Sequence, residues 1–102
     1  MGDKRLFAVR LLWVNDRALF AEYQRQARPI LAKHEVHIER WLVTEDMCGN
    51  GFDKPDELVV QWFRDAAAKA AFENDPDFKK IAELRDRAAK LVTITAKSVY
   101  GS

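Results

Sequence analysis

The sequence predicts an α+β domain of order β-α-β-β-α-β, in which a four-stranded antiparallel sheet carries its helices on one face. Three observations lead there. Four stretches, at 6–15, 36–45, 57–64 and 91–100, are β-branched and aromatic enough to be strands. The segments after the first and third strands carry apolar residues at helical spacing. A W-x-x-D-x-A pattern occurs twice, as "WVNDRA" at 13–18 and "WFRDAA" at 62–67, at the junction of each strand with its helix. The chain thus reads as two related βαβ halves, the ferredoxin-like arrangement.

Each element has its own justification. In "LFAVRLLWVN" the alternate positions Phe7, Val9, Leu11 and Trp13 are all apolar, and Ala8, Arg10, Leu12 and Val14 form the other face. Asp16 supplies a helix N-cap, and Leu19, Phe20, Tyr23, Ala27, Ile30 and Leu31 make one buried stripe. Pro29 lies inside that stripe, so a kink or restart is expected near Arg28. "DMCGNGFDKPD" (46–56) is a loop by composition, with a tight turn at Asn50-Gly51. Asp65 caps a second helix, which breaks at "AFENDPDF". There Asp75 is the N-cap of a resumed helix, Pro76 its first residue and Asp77 a favourable charge in its first turn. Phe72 and Phe78 turn inward on either side of the break, and the helix runs on to about Lys90 with Glu83 and Arg87 placed to pair.

The bulk numbers exclude several classes of function. The chain has 102 residues, the size of one domain spanning 1–102, and is 48% hydrophobic, enough to fill a single core. Seventeen Lys and Arg stand against 16 Asp and Glu, and the basic residues are scattered, which argues against a nucleic-acid or anionic-membrane partner. The apolar runs are too short to span a bilayer, and with "MGDKRLFAV" entering a strand directly no signal peptide is expected. Leu6 stands where a myristoylation motif wants Ser or Thr. Cys48 is the only cysteine, so no internal disulfide forms. The expectation is a cytoplasmic domain.

The repeated motif also ties side-chain faces together. If Trp13 plugs the helix side of the sheet, Trp62, Val60 and Leu58 share that side, and Val59, Gln61 and Phe63 take the other. The uncovered face then shows Leu12, Val14, Val59, Phe63 and Trp41 to water. An apolar patch of that kind marks an interaction surface, and a second copy packing sheet to sheet is the simplest cover. A homodimer is therefore expected.

At this point the chain resembles the dimeric α/β-barrel superfamily, and is most similar to its small uncharacterised bacterial families. Relatives in that superfamily include antibiotic-biosynthesis monooxygenases and NIPSNAP-type proteins. The resemblance rests on Tyr23 and Pro29 in the first helix, on Phe63 and Asp65 leading into the second, and on Phe72, Asp75, Pro76 and Phe78 at its break. It implies the fold and the dimer and names no reaction, since the superfamily spans oxygenases, isomerases and haem-handling proteins.

Chemistry is expected in a cleft against the sheet. Its polar lining is Arg10, Gln61, Thr93 and Thr95, joined by Leu12, Val59 and Phe63 from the same face. On the second strand Val36, Ile38 and Leu42 form the helix-facing set, which leaves His37, Glu39 and Trp41 pointing into the cleft. In the catalytic reading His37 is a general base oriented by Glu39 or another cleft carboxylate, and Arg10 holds an anionic substrate oxygen. The plainer reading puts His37 and Glu39 on a solvated edge. His34, His37 and Glu39 straddle a helix end and a strand, a spacing of no standard metal site, so no metal is expected. "CGNG" is not a phosphate loop, and no cofactor is expected. The function read from the residues is a small homodimeric protein with a small-molecule pocket on the sheet. Two alternatives stand beside it: a cofactor-independent monooxygenase- or isomerase-like enzyme, and a non-catalytic metabolite-binding or oligomerisation module.

Overall fold

The computed structural model describes residues 2–99. Strand β1 (Leu6–Val14) leads into helix α1 (Arg17–Lys33), followed by β2 (His37–Val43) and β3 (Glu57–Phe63). Helices α2 (Ala66–Glu73) and α3 (Pro76–Ala88) precede β4 (Ala89–Ala96). The strands form one antiparallel sheet in the order β2-β3-β1-β4. This is the ferredoxin-like topology expected from the sequence, with the second helix divided in two. The last strand starts two residues earlier than expected and ends at Ala96; Tyr100, placed at its end from the sequence, lies outside the described residues.

Aspartate begins every helix. The Asp16 side chain accepts from Leu19 N at 3.0 Å, Asp65 from Ala68 N at 2.8 Å and Asp75 from Asp77 N at 2.8 Å. Each satisfies an amide that the first helical turn leaves without a carbonyl. The expected restart in α1 does not occur, because the helix runs unbroken through Pro29. Pro29 lies on the exposed side, where the carbonyl it leaves unpaired meets water. The chain leaves α1 through Glu35 at φ 54°, a left-handed residue that lets Val36 N reach Leu31 O at 2.9 Å. Gly51, at φ 83°, makes the bend expected at Asn50-Gly51. Glu83 and Arg87 are not among the ion pairs; Arg85 reaches Asp86 on that helix instead.

The break between α2 and α3 is a buried electrostatic knot. Asp75 is only 5% exposed. Its Oδ2 lies 2.7 Å from His34 Nε2 and 2.9 Å from Lys33 Nζ, both at the end of α1. An ionised carboxylate only accepts, so His34 carries its proton on Nε2. Phe72 and Phe78 turn inward on either side, with ring centroids 4.2 Å apart, and the His34 ring meets Phe72 edge-on. Three helix ends are thus tied at one point.

The orientation of the sheet is opposite to the one expected. Ala8, Leu12, Val59 and Phe63 are nearly fully buried under the helices, together with Phe20, Tyr23, Phe72 and Ile81. Phe63 and Leu12, assigned to the uncovered face, are 1% and 3% exposed. Trp13 and Trp62 do share a face, as the repeated motif required, but it is the outer one, with Phe7 paired to Trp62 and Val9 to Val60. The physical reason is bulk. The helices bring large aromatics to the core, and the face opposing them holds the smaller residues of β1.

Asp75 governs the acid stability of this arrangement. Its carboxyl is held well below the usual carboxylate range, first by His34, then by Lys33 and the Asp77 amide. A depressed folded-state pKa contributes stability that is complete above the unfolded value of about 4 and drains away as pH falls below it. Asp3 beside Arg5 and Glu22 beside Arg25, each lowered to about 2, titrate in the same acid window. Asp75→Asn isolates the knot: it is expected to lower Tm at pH 7 and to flatten the loss of Tm between pH 5 and pH 3, measured by circular dichroism.

Candidate functional site

Two adjoining cavities lie between the sheet and its helices. One, of ≈ 180 Å³, opens between β1, β3 and α1; the other, of ≈ 370 Å³, opens towards β4 and α2. Arg10, Arg85 and Leu91 line both and form the wall between them. Of the residues expected in a ligand pocket, Arg10, Leu12, Trp41, Val59 and Gln61 line the first. Phe63, Thr93 and Thr95 line the second. Their grouping on one face holds, whereas that face is covered by helices instead of facing a partner. Sequence reasoning missed Tyr23, Gln24, Arg28 and Arg85, which come from helices read only as core stripe or solvated surface.

A β-bulge decides the fate of the second strand. Ile38 pairs with Gln61 and Arg40 with Val60, so Glu39 is the extra residue and the side-chain alternation resets across it. Trp41 therefore joins Ile38 on the cavity side, while His37, paired to Trp62, points outward. Leu42, expected to face the helices, pairs with Leu58 on the outer face. The His37 ring stacks on Trp62 at 4.0 Å, and Glu39 lines neither cavity. His37 and Arg10, the two residues of the catalytic reading, consequently stand on opposite faces of the sheet. His34 is engaged by Asp75, away from His37 and Glu39, so those three do not converge either.

In the lining of the first cavity Arg10, Arg28, Arg85 and Trp41 can only donate, while Tyr23, Gln24 and Gln61 can also accept. Trp41 closes one side, its indole N–H donating to Glu57 Oε1 at 2.7 Å and its ring edge-on to Phe20. Arg10 Nε and Gln61 Nε2 are buried without a hydrogen-bond partner. Burial pushes the Arg10 pKa down and nearby Arg85 adds to this, while Tyr23 and Glu73 oppose it. Among the described residues no His, Asp or Glu lines this cavity. The arrangement is suited to gripping acceptor atoms and offers no side-chain base.

A family model described as a domain of unknown function, DUF1330, matches residues 5–99. The chain belongs to the DUF1330 family. Solved structures carry the likeness further in shape than in sequence. A Rhodopseudomonas palustris protein of unknown function superposes with a TM-score of 0.83 at 17% identity, over 95% of this chain and 84% of that one. SnoaB, a cofactor-independent oxygenase from Streptomyces nogalater, gives 0.69 at 11% identity, over 93% of both chains. A dimeric ferredoxin-like protein of unknown function from Thermobifida fusca gives 0.62 at 13% identity, over 92% of this chain and 91% of that one. At such identities the shared property is the fold. No curated protein matches this DUF1330 chain.

Gln61 offers a direct check on the cavity. A buried amide with an unmet N–H destabilises a fold by roughly 1–3 kcal/mol. Gln61→Leu is therefore expected to leave stability unchanged or raise it by about 1 kcal/mol in urea unfolding. A hydrogen bond made for folding would instead be lost, and stability would fall.

Proposed function

We propose that this protein is a homodimeric small-molecule-binding protein whose ligand occupies the cavity between the sheet and α1. The observation that carries the reading is that cavity: apolar walls around the buried, partnerless N–H groups of Arg10 and Gln61. Pockets of this kind, mostly apolar with a few convergent polar groups, are the usual form of a ligand site. Binding is favoured over catalysis because the groups able to take a proton lie elsewhere. The oxygenase-like alternative, which the shape shared with SnoaB brings forward, would assign Arg10 to stabilising a developing oxyanion and leave proton abstraction without a lining base.

The dimer rests on the outer face of the sheet. Val9, Leu11, Leu58, Val60 and Trp62 stand there half-buried with no element above them, and Ile94 is 53% exposed. Such a continuous apolar face suits a second copy of itself, related by a two-fold axis. The dimeric Thermobifida fusca protein of the same fold supports that choice. Among the described residues no helix is long and apolar enough to cross a membrane. The free, exposed Cys48 suits a reducing, cytoplasmic location.

Two experiments test the reading. Light scattering after size exclusion is expected to give twice the 11.8 kDa of one chain. Ile94→Glu is expected to give monomer with the circular-dichroism spectrum retained. A thermal-shift screen against metabolites is expected to find ligands that raise Tm in the wild type. Leu31→Trp, which fills the half-buried mouth of the cavity, is expected to abolish the shift. A ligand whose shift survives that substitution binds elsewhere and overturns the assignment.

A further inference from the structure

The cavity's charge is out of balance with the chain that makes it. Arg10, Arg28 and Arg85 line it without one acidic residue, although basic and acidic residues number 17 and 16 in the whole sequence. Of the nearby acids among the described residues, Glu73 lines the adjoining cavity and Asp86 pairs with Arg85 itself, which leaves Arg28 and the Arg10 Nε without an acid of their own. Glu73 is gripped by Lys69 at 2.9 and 3.0 Å, and Asp86 meets Arg85 at 3.3 Å on the solvent side. Glu57, at the rim, is held by Trp41 and Arg17.

Hydrogen bonding shows the same imbalance independently. Gln61 is 97% buried, being 3% exposed, and its Nε2 finds no acceptor, nor does Arg10 Nε. An arginine stays protonated at neutral pH even when burial pulls its pKa down. Arg10 is half-buried with its Nε sealed from water, and Glu73, the acid nearest in effect, is shared with Lys69, so the Nε–H is a cost that folding leaves unmet. An anion with acceptor oxygens would satisfy both groups.

Shape narrows the class. The donors are side chains, one of them a planar guanidinium whose fork matches the two oxygens of a carboxylate. The usual phosphate cradle of successive backbone amides at a glycine-rich turn is not part of this wall. Around the donors stand Leu12, Phe20, Trp41, Val59 and Leu91, and the volume of ≈ 180 Å³ admits little beyond one ring.

Resting on the assignment of this cavity as the ligand site, we propose that it binds a small aromatic carboxylic acid, with the carboxylate held by Arg10 and Gln61 and the ring against Trp41 and Phe20. Arg28 raises the local positive potential from the exposed side of α1, where an incoming anion would first meet it.

Calorimetric titration of the full chain at neutral pH tests this with benzoate and phenylacetate against the neutral isosteres benzamide and phenylacetamide. The acids are expected to bind at least about tenfold more tightly than the amides, the margin of a charge-assisted pair. Arg10→Met is expected to bring the acids down to the amide level while Tm without ligand stays level or rises. Gln61→Leu, which leaves the charge in place, is expected to weaken the acids several-fold and serves as the readout should Arg10→Met not fold. Amides matching the acids, or Arg10→Met binding acids as the wild type does, would overturn the carboxylate while leaving the cavity a ligand site. Absence of binding by all four probes would also overturn it. The Leu31→Trp screen then decides the cavity separately.

Discussion

A four-stranded sheet that is apolar on both faces can be covered by its own helices on only one of them, and the choice of face organises this molecule. The helices take the side of Ala8, Leu12, Val59 and Phe63. Their own Phe20, Tyr23, Phe72 and Phe78 fill the space above Ala8, Leu12 and Val59 and pack beside Phe63. The other side keeps Phe7, Val9, Leu11, Trp13 and Trp62, partly shielded by flat cation contacts. Arg5 lies over Phe7 and Trp62 at 5.1 and 5.0 Å, and Lys90 over Trp13 at 4.9 Å. Such contacts cover rings at a polar boundary without removing the gain available from burying the face against another surface.

The covered side is not filled uniformly, and Asp75 shows why. Dividing the second helix lets α2 and α3 follow a twisted sheet at different angles. The corner is fixed by the carboxylate that also binds the end of α1. With those helices pinned at the corner, the interlayer space beside it stays open beneath the C-terminal half of α1 and towards β4, where Phe72 lines one cavity and Glu73 and Phe78 the other. At the other end of α3, Ala88 O accepts from Asn15 N and Asp16 N at 2.9 and 3.1 Å where β1 turns into α1. A rigid frame around an unfilled space is the condition a preformed pocket needs.

Within that space the structure retains what packing alone would remove. A guanidinium and an amide sit among hydrocarbon with N–H groups unmet, at positions where Met and Leu would fit. Strain of this kind tends to collect where a protein meets a ligand, and the surrounding apolar contacts carry its cost. The bulge at Glu39 belongs to the same pattern, since it turns Trp41 into the cavity and His37 out of it.

The sequence by itself determined the element order, the three aspartate caps and the corner at Pro76, because each depends on interactions between residues a few positions apart. It also determined that Arg10, Gln61, Val59 and Thr93 share a face, since alternation along paired strands is local. Only the tertiary structure decided which face that is. With apolar residues on both sides of β1, the period-two pattern has no sign; the sign comes from side-chain bulk meeting across the layer. The bulge in β2 was equally hidden, because one inserted residue changes no composition and yet reverses every position after it. For the same reason Arg85 and Tyr23 joined the site only when α3 and α1 packed beside Arg10, a proximity set by the sheet's twist and the helix corner and written nowhere in the spacing of the chain.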